Sequence, residues 1–280
     1  MLGLGNTVTS GYVTGSKYSQ YAARFDGTAD FVKLAETARM KPTTAISISL
    51  WVKSLDTNGW NLQSGSDEQV MIGCLRTGGW RLLLSNTGGN VTTIEWTVRV
   101  SDTGSGSEGY ITATLNESKT EALSGWVHFA MKWDQGGEST LWWNGLQSGV
   151  TNGSSAEEST IVYHSAATPV AIGADMSNDT NGEMFFNGII DEVAIFNTSL
   201  DQNDVDGIFN GGKPFDISSN SGTYDKADKL IWYGNFEEGT GTVVNNRATG
   251  EEADDGNEGG LGNAWTWSTD TPSTQSTWSS

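Results

Sequence analysis

Short runs of alternating apolar and polar residues, separated by clusters of Gly, Asn and Asp, recur along most of this chain. Ile46, Ile48, Leu50 and Val52 alternate with Ser47, Ser49, Trp51 and Lys53, and Val127, Phe129, Met131 and Trp133 alternate with Trp126, His128, Ala130 and Lys132. A period of two places successive side chains on opposite faces of a strand, so both runs predict half-buried antiparallel strands. Similar runs stand at 31–34, 70–75, 80–84, 94–100, 110–115, 141–143, 170–172, 184–186, 189–196 and 230–236. Gly-Gly pairs at 78–79, 88–89 and 136–137 fall between runs, where hairpins need positive φ. One helix interrupts the pattern. Ser199-Leu200-Asp201-Gln202 has capping-box spacing, Val205, Ile208 and Phe209 share a face, and Asn210-Gly211-Gly212 supplies a left-handed stop.

Composition narrows the classes of function. The 280 residues carry a formal charge of -19. Such a field repels phosphate backbones and anionic membrane surfaces, so neither nucleic acid nor a membrane is expected as partner. No apolar stretch approaches the ~18 residues of a membrane-crossing helix. The N-terminus lacks a basic segment and a long apolar segment, so no secretory leader is expected and assembly is placed in a cytosol. The single cysteine, Cys74, sits in an apolar run and reads as a small buried hydrophobe. Zinc sites and thiol nucleophiles need histidine partners, and the chain has only His128 and His164.

Three segments follow: an N-terminal arm over 1–20, a jelly-roll sandwich over 21–212, and a C-terminal extension over 213–280. The last is polar, then acidic and Gly-rich, yet keeps Trp265, Trp267 and Trp278. A free tail seldom retains three indoles, so the extension is expected to dock on the sandwich or on a partner, with those tryptophans as interface anchors. Truncation after Gly212 is expected to leave the sandwich folded.

The order of motifs resembles a known family. Arg24-Phe25-Asp26-Gly27-Thr28-Ala29-Asp30-Phe31-Val32, Ile46–Lys53, Gly125–Ala130, Leu141-Trp142-Trp143-Asn144-Gly145 and Phe186–Asn197 are similar to five successive strands of the laminin G-like, or concanavalin A-like, jelly rolls. Trp126-Val127-His128 departs from the two-histidine pattern usual at that strand. The resemblance implies an all-β antiparallel sandwich pairing the first strand, with Phe25, against 189–196. It also implies a possible structural calcium ion held by Asp26, Asp30 and Asp191; the same carboxylates equally suit turn caps. The ending Trp232–Thr242, followed by Trp267-Ser268-Thr269-Asp270-Thr271-Pro272, resembles structural proteins of tailed marine bacteriophages. That resemblance implies a virion protein, in the outer capsid or tail, assembled in the host cytosol and acting through other virion proteins, oligomeric in the particle.

Catalysis and sugar binding each require particular residues. Glucanases of this fold place acids on one strand as E-x-D-x-x-x-E, and Glu252-Ala253-Asp254-Asp255-Gly256-Asn257-Glu258 matches that spacing. The intervening residues are not those of a strand, so no retaining pair ~5 Å apart is expected and the chain reads as non-enzymatic. Host surface glycans remain the alternative partner, with Trp60, Trp80, Trp96 and Trp142 as stacking candidates. Five N-x-S/T sequons, at Asn90, Asn116, Asn152, Asn178 and Asn197, read as chance in so Asn- and Ser-rich a chain.

Overall fold

The computed structural model describes residues 18–55, 68–75, 78–86, 92–102, 108–116, 125–135, 139–151, 159–163, 169–176, 181–253, 259–260 and 265–275. The alternating runs form strands: β1 (Ala22–Asp26), β2 (Val32–Lys33), β3 (Ala45–Ser54), β4 (Gln69–Gly73), β5 (Trp80–Asn86) and β6 (Thr92–Asp102). Next come β7 (Glu108–Asn116), β8 (Val127–Asp134), β9 (Ser139–Trp143), β10 (Leu146–Thr151), β11 (Ser159–Ile161), β12 (Ala171–Ile172), β13 (Asp175–Met176) and β14 (Gly182–Glu183). The long β15 (Asn187–Phe196) precedes the helix α1 (Gln202–Phe209), and β16 (Leu230–Gly234), β17 (Val243–Val244), β18 (Gly259–Gly260) and β19 (Thr266–Ser268) follow.

Two antiparallel sheets carry the fold. One runs β10-β9-β8-β3-β15-β1-β19, with β16 also on β15; the other runs β11-β6-β5-β4-β12-β2, with β7 on β6. Phe25 stands opposite Gly188, as the motif order implied. Between the sheets, Ile48, Leu50, Phe129 and Met131 meet Leu82, Leu84, Ile94, Trp96 and Val98 in the main core.

The expectation of half-buried strands fails on the first sheet. Ser47, Ser49, Trp51 and His128, on its other face, are all buried. The reason lies far along the chain: α1 and residues 213–253 cover that face. Ala130, Trp142, Ala194 and Phe196 pack there against Val205, Ile208, Ile217, Tyr224 and Tyr233. Cys74 is buried, as its apolar run implied.

The helix begins later than its spacing suggested. Its N-cap is Asp201, whose carboxylate accepts from Asp204 N at 2.9 Å while Asp204 accepts from Asp201 N at 3.1 Å. The Ser199 hydroxyl instead donates to Asp134 at 2.7 Å, and Leu200 N donates to Ser47 Oγ at 2.9 Å. These contacts pin the approach to the first sheet and delay the first turn. Asn210 ends the helix at φ 47°, the left-handed stop expected.

The described residues between 213 and 275 are built into the sandwich. Ile231, Trp232, Phe236, Val244 and Trp265 belong to the main core. Strand β19 pairs with β1, setting Ala23 opposite Trp267. Beyond it, Asp270 accepts from the Trp126 indole N–H at 2.9 Å and binds Lys53 Nζ at 2.5 Å. The Gln275 carboxamide grips the backbone of Trp126, accepting from its N–H at 2.6 Å and donating to its carbonyl at 3.2 Å. The boundary at Gly212 therefore runs through one core rather than between a sandwich and a docked extension.

Candidate functional site

Where α1 ends, the chain leaves the sheet and returns to it, and the gap forms a groove. Pro214 and Ile217 are buried, Phe215 is half-buried between them, and Ser221 and Tyr224 close a tight turn through mutual backbone bonds of 3.0 Å. Gly222, at φ +59°, occupies that turn with open space around it. Gly207 lets the turn approach the helix: a Cβ there would stand 2.7 Å from Tyr224 N and 2.8 Å from Thr223 Oγ1. Thr223 Oγ1 in turn donates to the Asn203 carbonyl at 2.8 Å.

The groove encloses about 320 Å³ and is lined by Asp206, Gly207, Asn210, Phe215, Ser221, Gly222 and Thr223. Asp206 accepts from Gln202 Nε2 at 2.7 Å, and Asn210 Nδ2 donates to the Lys213 carbonyl at 2.9 Å. Phe215 is braced edge-on by Tyr224 with centroids 6.3 Å apart. One aromatic surface beside a carboxylate, a carboxamide and two hydroxyls suits a polyol with apolar ring faces.

Beneath the groove lies an acidic node. Strand β15 pairs with β1 through Ile190 and with β16 from Val193, and the register shifts against β3 between Asp191 and Ala194. Glu192 sits at φ 51° in this bulge, and both acids are buried. Asp191 accepts from Ser19 Oγ at 2.6 Å and from Glu192 N at 2.9 Å. Glu192 accepts from the Tyr233 hydroxyl, which Tyr18 joins at 2.9 Å. Nearby Glu237 accepts from Gln20 N at 2.7 Å and Tyr21 N at 3.2 Å. Burial pushes the carboxyls of Asp191 and Glu192 well above the usual range, and their mutual repulsion adds to it for Glu192.

The sign of the resulting pH dependence follows. In the unfolded chain both acids lose their protons near pH 4, whereas the folded chain keeps them to higher pH. Their contribution to stability is complete below about pH 4 and declines as pH rises through the folded values. The slope is up to about 1.4 kcal/mol per pH unit for each proton retained. Urea midpoints measured from mildly acidic to alkaline pH should fall more steeply for the native chain than for an Asp191→Asn, Glu192→Gln double variant. Parallel profiles would contradict this assignment.

The three residues proposed for calcium do not fit one ion. Asp26 and Asp30 share a turn: Asp26 accepts from Thr28 N at 2.8 Å and Thr28 Oγ1 at 2.6 Å, and Asp30 accepts from Asp26 N at 3.1 Å. The Thr28 bonds hold Asp26 down at a pKa of about 2, while burial and Asp26 raise Asp30. Asp191 belongs to the separate buried node with Ser19. Among the described residues no group of three or more His, Cys, Asp or Glu side chains is arranged to hold a metal ion.

Other expectations resolve in the same way. Glu252 lies in a turn, where it accepts from Asn197 Nδ2 at 3.0 Å, and Glu258 falls outside the described residues. His128 pairs with Ser49 Oγ at 2.8 Å, but Trp51 and Phe209 pack on its ring and burial pushes its pKa down to about 3. Trp80 and Trp96 are core residues, and Trp142 is buried under α1 with its indole N–H on Gln202 at 2.9 Å. None of these three offers a face to a sugar. Trp265 is spent within its own chain, edge-on to Phe236 at 6.3 Å, and is not a free anchor. Trp267 is half-buried, beside Tyr21 at 6.4 Å, with its indole N–H on the Gly241 carbonyl. Trp60, His164 and Trp278 lie outside the described residues.

Comparison with known proteins agrees with this architecture. The chain is similar to a solved protein from Bacteroides ovatus provisionally named as carbohydrate-binding, with 17% identity and a TM-score of 0.56 over 90% of this chain and 60% of that one. It thus spans less than two thirds of that protein. Similarity extends to a heptameric SAP-like pentraxin of Limulus polyphemus (11% identity, TM-score 0.47, 86% of this chain and 100% of that one). It extends also to the receptor-binding domain of botulinum neurotoxin D (17%, 0.45, 70% and 45%). No curated protein matches the chain. The family model described as the concanavalin A-like lectin/glucanases superfamily matches residues 26–206, from the Asp26 turn through β15 into α1. The chain therefore belongs to the concanavalin A-like lectin/glucanase superfamily.

Proposed function

We propose that the protein is a non-catalytic, lectin-like binding module that holds a neutral saccharide in the groove between α1 and the Ser221–Tyr224 turn. The observation that carries this reading is the groove lining, a braced half-buried Phe215 beside Asp206, Asn210, Ser221 and Thr223. Aromatic rings accept the apolar faces of sugars, and the polar groups select hydroxyl positions. A formal charge of -19 disfavours anionic polysaccharides, which narrows the class to neutral ones. The setting we propose is a virion, with the module facing host surface glycans and held by other virion proteins. That setting is supported by the likeness of the C-terminal motifs to phage structural proteins.

Calorimetric titration with a panel of neutral oligosaccharides tests the function. Binding is expected for at least one, without release of reducing ends. Gly207→Val, which forces side-chain atoms between the helix and the Thr223 turn, should weaken it by about tenfold or more, the equivalent of about 1.4 kcal/mol. Unchanged affinity in that variant, or turnover of any saccharide, overturns the reading.

A further inference from the structure

Glu192 is only 3% exposed, and its Oε1 has no hydrogen-bond partner among the described residues. A buried acceptor left unpaired is destabilising by roughly 1–3 kcal/mol, so its persistence calls for a function. The side chain lines a cavity of about 10 Å³ together with Trp51, Ile208, Pro214, Phe215 and Ile217. The other walls are apolar except for the indole of Trp51, whose N–H does not pair with Oε1. Phe215 also lines the groove, which makes it the common wall of the groove and the cavity.

The cavity limits what can enter. About 10–15 Å³ of this measure accommodates one water-sized group, far less than a sugar ring. A neutral donor suits so buried an acceptor, whereas a cation would have to shed its hydration shell to enter. We propose that a hexose seated in the groove passes its hydroxymethyl arm beside Phe215 and donates its primary hydroxyl to Glu192 Oε1, a reading that rests on the groove being the saccharide site. The arm is the one part of the sugar that is both narrow and tipped by a donor. A 6-deoxyhexose keeps the ring and its stacking surface but sets a methyl against the unpaired carboxyl oxygen. Sites built to pair a substrate hydroxyl reject the analogue lacking it more strongly than apolar pockets reject an added group.

The test compares methyl glucoside, galactoside and mannoside with their 6-deoxy analogues on the native full-length chain, so that no variant needs to fold. Amide shifts in two-dimensional NMR titrations give the affinities. The expected result is at least one hexoside that binds, with its 6-deoxy analogue weaker by about tenfold or more. Glu192→Gln, which keeps a carbonyl acceptor, should retain the preference. Equal affinities for a hexoside and its 6-deoxy form would overturn the Glu192 contact and leave the groove standing. No shift with any of the six sugars would remove both.

Discussion

A chain cut after Gly212 is expected to lose cooperative unfolding altogether. The cut removes Ile231, Trp232, Phe236, Val244 and Trp265 from the main core, all buried. It also uncovers Phe196 and Ala194, which lie against Tyr224 and Tyr233 on the outer face of the first sheet. Each large apolar side chain contributes roughly 1.5–3 kcal/mol when buried, so the five together are comparable to the whole ~5–15 kcal/mol that holds a domain folded. The cut further takes Tyr233 from Glu192, leaving two buried acids with one fewer donor. Near-ultraviolet circular dichroism should lose its aromatic fine structure, and a hydrophobic dye should bind strongly. A truncated chain that melts sharply, within a few degrees of the full one, would contradict the shared core.

The largest loss expected from a single substitution is at Trp232. The side chain is fully buried, and its ring lies so close over Gly234 that a Cβ there would stand 2.2 Å from Trp232 Cη2 and 2.9 Å from Val244 Cγ1. A ring seated on the Gly234 backbone inside the core leaves a hole that rigid strands cannot close. Trp232→Ala should therefore destabilise by about 3–5 kcal/mol. Trp267→Ala, at the half-buried edge against Tyr21, should lower stability much less. Urea midpoints at fixed pH measure both, and a Trp232→Ala loss below about 1 kcal/mol would mean that the strand repacks.

Much of the sandwich is legible from alternation alone. The runs at 46–53 and 127–134 pair as neighbours, Ile48 opposite Met131 and Leu50 opposite Phe129, because each presents one apolar face. The burial of the intervening residues is not legible. Ser47 is covered by Thr198 and Leu200, about 150 residues away, and no local pattern reports a contact at that separation. Asp191 is a calcium candidate only through the family resemblance; the bulge at Glu192, which buries two consecutive acids side by side, has no signal in the alternation. The groove is not legible in the sequence because most of its residues stand in a polar, loop-like stretch over 213–229. Pro214-Phe215 followed by Ser221-Gly222 was the available signal: an aromatic residue fixed after proline, ahead of a glycine turn, inside an otherwise polar stretch.

Amide NMR spectra of the intact chain, titrated with a neutral oligosaccharide that binds in calorimetry, test the central claim most directly. The account predicts shifts concentrated at Gly207, Asn210, Phe215, Gly222 and Thr223, with little change at Asp26, Asp30 or Trp267. Shifts confined to the Asp26 turn, or to the Tyr21–Trp267 edge, would place the ligand elsewhere on the sandwich and contradict the groove.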